Sequence, residues 1–383
     1  MNRIPYVRQY AWICFCVAVL DGCAPLADAP VSAERSVALP TGIEMRYVEA
    51  GEPDGETVVF LHGYTDSSLS FGPTIDALLE RRPDLRVVAL DFRGHGGSTL
   101  PPAEECAAAP ERCFRVEDLA RDVLAFLEAM GIERAHVVGH SYGSMVAQVV
   151  ALEASDRVAS LALLASAARV VGNPVIGEFV LGQLIEGTWR PALEARGLTW
   201  PADAYRLTPL DVDSAAEEWL LANWVTEIAA DPAYLARLAE RTARVPLGAW
   251  LGVGRAALWF DNVERLGELS VPTLVLWASQ DGVTTPDDQI VLRSALDAAS
   301  RRCRTTYVAK QYGREPLPAS GLQESDFGHN FQWGAAEQVS ADLAAWFADG
   351  APTPDFHYLD PSNPRVVVTA PGEAELLRGP PCT

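Results

Sequence analysis

Residues 139–143 read Gly-His-Ser-Tyr-Gly. A serine hydroxyl is inert near neutral pH unless a neighbouring base takes its proton, so the chemistry turns on how this serine is presented. The residues before it, "RAHVV", are apolar and β-branched, and "SMVAQVVALEA" after it has helical composition. Ser141 therefore sits in a strand-to-helix turn too tight for side chains at its flanks, and Gly139 and Gly143 remove them. Such a turn lifts the hydroxyl above the sheet edge at a helix N-terminus, whose dipole favours developing negative charge. The G-x-S-x-G spacing alone is weak; its strand-turn-helix context makes it a nucleophile elbow.

Other chemistries find less support. The chain has one lysine, Lys310, in a strand-like run, which leaves amine nucleophiles a single poor candidate. "GVGRAA" at Gly252 resembles a dinucleotide fingerprint but lacks a preceding strand. No histidine and carboxylate spacing suggests a metal site, and no glycine-rich phosphate loop is present, so no cofactor is expected.

The elements that must position Ser141 follow an alternating pattern. Eight short apolar runs read as strands: "RSVAL", "IEMRYVEAG", "TVVFLHG", "LRVVALDF", "AHVVGHS", "VASLALLAS", "PTLVLWAS" and "RTTYVAKQY". Helical patterns separate them; "VEDLARDVLAFLEAMG" places Leu119, Val123, Leu124 and Leu127 on one face and stops at Gly131, and "AAEQVSADLAAWFADG" behaves alike. This alternation predicts an α/β fold with a mostly parallel eight-stranded sheet flanked by helices. The expected organisation is a signal region over 1–29, a first core part over 36–170, a helical cap over 171–269, a second core part over 270–350 and a tail over 351–383. Six of the ten tryptophans fall in the cap: Trp189, Trp200, Trp219, Trp224, Trp250 and Trp259. They read as aromatic area over a pocket, with about half of them holding the cap to the body. In the tail, "RVVVTA" reads as an edge strand.

With 30 basic and 51 acidic side chains the net charge is -21, which argues against nucleic acid and anionic membrane surfaces as partners. The first 29 residues resemble an export signal, with Arg3 and Arg8 before the apolar run Ala11–Leu20, too short to span a bilayer. Two cleavage readings compete: "LDGC" resembles a bacterial lipobox that would lipidate Cys23 and tether the protein to a membrane, and "ADA" at 27–29 fits ordinary signal peptidase. Location in a bacterial periplasm or cell envelope is expected, with a lipid-anchored lipoprotein as one form. Without Cys14, Cys16 and Cys23, four cysteines remain. The short "CAAAPERC" loop suggests a Cys106–Cys113 disulfide, and elimination pairs Cys303 with Cys382; four free thiols in a cytosolic protein are the alternative.

The segments "LHGYTDSS", "DFRGHGGS", "GHSYG", "SQDG" and "GHNF" together resemble the α/β-hydrolase fold family, in its capped group of esterases, cofactor-free haloperoxidase-like perhydrolases and proline iminopeptidases. The match runs from about Ser36 to Gly350. The resemblance implies Ser141 as nucleophile, His329 of "DFGHNF" as base and Asp281, directly after "PTLVLWAS", as the acid that orients it. Asp287 and Asp288 are rivals to Asp281, but they open the next helix and read as N-terminal charges. Of the other histidines, His140 should point away from Ser141, His136 lies inside the strand, His62 and His95 belong to loops, and His357 is in the tail. The resemblance further implies an oxyanion hole from the amides of Tyr64 and Tyr142, and a loop-fixing role for Asp91, Arg93 and His95. Serine at the elbow argues against the haloalkane dehalogenase and epoxide hydrolase branches, which resemble this chain but carry Asp there. The expected function is an exported serine hydrolase that cleaves carboxylic esters through an acyl-enzyme, its substrate a small-molecule ester or similar acyl compound. The alternatives are a cofactor-free perhydrolase, an iminopeptidase-like peptidase with Glu217 and Glu218 available for a substrate amine, and a non-catalytic binding module on the same fold.

Overall fold

The computed structural model describes residues 33–314 and 325–382. The signal region and the lipidation candidate Cys23 lie outside the described residues. Eleven strands occur in chain order: β1 (Ala33–Ala38), β2 (Glu44–Gly51), β3 (Glu56–Leu61), β4 (Leu85–Leu90), β5 (Ala135–His140), β6 (Val158–Leu164), β7 (Thr273–Ala278), β8 (Tyr307–Tyr312), β9 (Phe356–Asp360), β10 (Asn363–Ala370) and β11 (Leu376–Arg378). Nine of them form one sheet in the order β1-β2-β4-β3-β5-β6-β7-β8-β11. Every pairing from β4 to β8 is parallel, and the edge pairings of β1, β2 and β11 are antiparallel.

The central strands β3 to β7 are buried almost throughout because helices cover both faces of the sheet there. Along β3, Val59 and Leu61 join the apolar cluster on one face while Val58 and Phe60 join that on the other. Helices Val116–Ala129, Tyr142–Glu153 and Pro286–Arg301 pack on the first face; Gly72–Arg81 and Ala336–Asp349 pack on the second. The order β4-β3-β5 places a reversal of winding at β3 and β5. Crevices form outside the carboxyl ends of strands at such a point, where consecutive connections leave in opposite directions.

Between β6 and β7 the chain inserts helices, beginning with Val175–Trp189, Arg190–Glu194, Pro209–Val212 and Ala216–Asn223. Pro232–Thr242, Leu247–Ala257 and a short turn at Arg265–Glu268 complete the insertion. Val175–Trp189 is wound as a π-helix, a form usually confined to single turns and frequent at functional sites. Of the tryptophans here, Trp250 is fully buried with Trp189 edge-on to it, whereas Trp219 and Trp259 are exposed. Among the described residues no helix is long and apolar enough to cross a membrane.

The tail departs from expectation. "RVVVTA" does not join the sheet edge: β10 pairs with β9 in a separate hairpin, and the ninth sheet strand is β11, antiparallel to β8. β10 buries none of its residues fully, so it has no apolar face to give the sheet, whereas Leu376 and Leu377 of β11 pack against the two cores. Disulfides join Cys106 to Cys113 and Cys303 to Cys382, the second fixing the chain just beyond β11.

Lys310 of β8 is fully buried. Its ammonium donates to Asp342 Oδ1 at 2.8 Å and to Thr353 O and Oγ1 at 3.1 Å, and Tyr312 donates to Asp342 Oδ2 at 2.6 Å. Burial pulls the ammonium below its ordinary range against the pull of Asp342. This network ties β8 and helix Ala336–Asp349 to the start of the tail.

Candidate active site

β5 ends at His140, and Ser141 turns the chain with φ 51° and ψ -123° before helix Tyr142–Glu153. A non-glycine residue at positive φ is strained, and such strain persists only where surrounding packing fixes it. Here the fixing contacts are backbone against backbone. A Cβ at Gly139 would lie 2.4 Å from Gly143 O, and one at Gly143 would lie 2.2 Å from Leu61 O. Both glycines are therefore required by close approach, and the end of β3 is pressed against the first turn of the helix.

His329 follows β8 and precedes the short helix Phe331–Gly334, 188 residues from Ser141. Its Nε2 lies 2.8 Å from Ser141 Oγ. Its Nδ1 lies 2.9 and 2.8 Å from the two oxygens of Asp281. Asp281, just past β7, is fully buried. Its Oδ1 accepts from the amides of Val283 and Thr284 at 2.8 Å, and its Oδ2 accepts from the Thr284 hydroxyl at 2.6 Å. Burial pushes this carboxyl up, but His329 and the Thr284 donors outweigh it and hold it below its usual range. An ionised Asp281 selects the tautomer with hydrogen on Nδ1, leaving Nε2 to accept the serine proton. Asp287 and Asp288 open helix Pro286–Arg301, and Asp288 closes a capping box with Thr285.

The loop after β3 is fixed by His62. Its Nδ1 donates to Gly63 O at 2.7 Å and its Nε2 accepts from Phe92 N at 3.0 Å, so one neutral tautomer serves both bonds. A Cβ on Gly63 would come within 3.3 Å of Ser141 Cβ, which sets the backbone leading into Tyr64 beside the serine. Tyr142 is the first residue of its helix, where amides have no acceptor within the helix. Both tyrosine side chains are anchors rather than reactants: Tyr64 donates to Trp250 O, and Tyr142 donates to Phe114 O at 2.7 Å.

Asp91, Arg93 and His95 hold the neighbouring loop. Asp91 accepts from Ser68 N, Gly97 N and Arg46 Nη1 at 2.6 to 2.9 Å, and Arg93 forms a two-point pair with Asp122. Two positioning groups escaped the sequence reading. His140 does not point away: its Nε2 donates to His329 O at 3.0 Å and so holds the segment that carries the imidazole. The Gln280 side chain exchanges two hydrogen bonds with Ser325, and its backbone N–H donates to Phe327 O, joining the segments of Asp281 and His329. Strand alternation misleads at His140 because the chain reverses at the very next residue.

The family model described as alpha/beta hydrolase fold matches residues 56–336. The chain belongs to this family. Epoxide hydrolase A of Mycobacterium tuberculosis is 37% identical over 123 residues, covering 32% of this chain and 35% of that protein, so the match spans about a third of that relative. The 2-hydroxy-6-oxo-6-phenylhexa-2,4-dienoate hydrolase of Comamonas testosteroni is 28% identical over 248 residues, covering 62% of this chain and 74% of that protein. Among solved structures, the enol-lactonase from Burkholderia xenovorans superposes with a TM-score of 0.57 at 20% identity, covering 82% of this chain and all of that one. That likeness shows the fold. The family relationship gives this chain the alpha/beta hydrolase fold.

In this α/β-hydrolase the candidate nucleophile opens into a cavity of about 380 Å³. Tyr64, Asp66, Ile176, Phe179, Trp224 and Trp333 are among its walls, while Glu217 and Glu218 are not. The insertion therefore supplies aromatic and aliphatic surface over Ser141, and its one end of π-helix contributes Ile176 and Phe179.

Burial also makes the fold sensitive to acid. It pulls His62 down to about 4 and His95 and His140 to about 3, and lowers His357 and His136 as well. In the unfolded chain each regains an ordinary value of roughly 6.5. Below that value the unfolded chain binds more protons, so stability falls as pH falls, by up to about 1.4 kcal/mol per pH unit for each of His62, His95 and His140. Asp66, raised by burial to about 7, works in the opposite direction as one group against several. The melting temperature should therefore drop steadily from pH 6.5 to 4.5; a flat profile across that range would contradict the buried, neutral state of these rings.

Proposed function

We propose that this protein is an exported serine hydrolase that cleaves carboxylic esters through an acyl-enzyme. The single observation that supports this most is the unbroken hydrogen-bond series from Ser141 Oγ through His329 to the buried Asp281. In the reaction, Ser141 Oγ attacks the ester carbonyl while His329 Nε2 takes its proton. The resulting imidazolium is steadied by Asp281, and the oxyanion by the amides of Tyr64 and Tyr142. Collapse breaks the bond to the alcohol, which leaves with the proton from Nε2. Water then repeats the sequence on the acyl-serine, with His329 again taking and returning a proton, and frees the acid.

Serine favours acyl substrates over the epoxides named for several relatives. Attack of a serine oxygen on an epoxide would give an ether, which water does not readily cleave, whereas attack on an ester gives an ester that hydrolyses again. A non-catalytic binding module has no need of a base and an acid in register with a strained serine. Export is supported by the two disulfides, which persist in oxidising compartments. A lipid tether at Cys23 belongs to the same proposal. A fluorophosphonate probe should add one equivalent to the peptide bearing Ser141, and a panel of esters of rising chain length would then define the acyl preference. Failure of the folded protein to react with the probe would remove the reading.

A further inference from the structure

Asp66 stands out in the cavity wall. It is 9% exposed, it follows the loop that carries Tyr64, and among the described residues it forms no ion pair with arginine, lysine or histidine. Its Oδ1 accepts from Ser67 N at 2.9 Å, and the Ser70 hydroxyl also favours its ionised form. A carboxylate has about four acceptor positions, so two remain for another group. The groups that face it are Asp91 at the end of β4 and Tyr234 of helix Pro232–Thr242, with Arg237 over the tyrosine ring and Asp76 near that hydroxyl. The cavity's other titratable walls are His140, kept neutral by burial, His329, engaged with Asp281, and Tyr64. A carboxyl inside an apolar site calls for a cation, and the same cavity supplies Phe179, Trp224 and Trp333, whose rings attract cations.

We propose that the cavity above Ser141 contains a subsite for an alkylammonium group, formed by Asp66 with Phe179, Trp224 and Trp333, so that the preferred ester carries a positive charge in its alcohol or its acyl half. The inference rests on the assignment of Ser141 as an ester-cleaving nucleophile and goes further by naming the substrate class. The net charge of -21 acts in the same direction, since it draws cations toward the protein. An ammonium beside Asp66 offsets the cost of burying its charge, and the aromatic rings take the place of the water that the cation gives up.

The test compares charged and uncharged isosteres. On the alcohol side the pair is acetylcholine and 3,3-dimethylbutyl acetate; on the acyl side it is betaine methyl ester and methyl 3,3-dimethylbutanoate, corrected for uncatalysed hydrolysis. In at least one pair the charged ester should show a kcat/KM about tenfold higher. The ratio should rise from pH 6 to 8 as Asp66, raised by burial to about 7, ionises, because the quaternary charges do not titrate and pH effects on the shared chemistry cancel within a pair. Asp66→Asn should bring the ratio to one or below, and Asp66→Glu should restore part of it. Because the ratio is read within one preparation, a partly unfolded variant does not mimic the result. Ratios near one in both pairs, or a ratio unchanged in Asp66→Asn, would overturn the subsite while probe labelling of Ser141 left the nucleophile in place. If no ester turns over, calorimetric titration with choline chloride still decides: weaker binding to Asp66→Asn than to the parent supports the subsite, and equal or no binding overturns it.

Discussion

Ser141→Ala is expected to lower kcat/KM for a p-nitrophenyl ester by roughly 10⁴- to 10⁶-fold, the loss found when a nucleophile is removed from a triad that works as a unit. The substitution deletes one oxygen, the atom 2.8 Å from His329 Nε2. On the proposed route, what remains is catalysis by substrate binding and by the amides at Tyr64 and Tyr142, with water as the nucleophile. Alanine keeps the Cβ, so the strain at φ 51° is the same in both proteins and the melting temperature should move little. The two readouts together separate loss of chemistry from loss of fold. An alanine variant that retains the parent's activity would exclude Ser141 as the nucleophile, and with it the acyl-enzyme route.

The second large effect lies far from the chemistry. Lys310→Met is expected to destabilise the fold by about 3–5 kcal/mol, because it leaves the buried Asp342 carboxylate without its cation. For a chain of this size that corresponds to a fall in melting temperature of about 10 °C. The remaining donors, the Tyr312 hydroxyl and the Thr353 amide and hydroxyl, satisfy hydrogen bonds but not the charge. Replacing both partners, as Lys310→Met with Asp342→Asn, should recover most of the loss, since a neutral pair has no unpaired charge to bury. If the double variant is as unstable as the single one, the pairing of charges is not the cause and the loss comes from packing around β8.

The parts of the molecule that could be read from residue order are those whose cause is local. Each of β3 to β7 coincides with a short apolar run, because a strand covered on both faces needs apolar residues at nearly every position, whereas the edge strand β1 is exposed and β2 alternates. The elbow is legible for the same reason. Its two glycines answer contacts made within one turn and with the adjoining strand. The tail was less legible: "RVVVTA" has strand composition, but composition does not tell which partner a strand will choose, and the exposed β10 found its partner in β9.

Sequence alone therefore determined the layered α/β architecture, the serine at a tight turn and the presence of a helical insertion, since backbone preference and apolar periodicity act over a few residues. Only the tertiary structure decided that His140 would hold His329 rather than point away, that Gln280 would bind the two segments of the site together, and that Asp66 rather than Glu217 or Glu218 would stand in the cavity wall. The physical reason is that hydrogen-bond reach and desolvation depend on which distant segments the sheet brings side by side. A carboxyl or imidazole takes its charge from that surrounding, and its neighbours in the chain do not specify it.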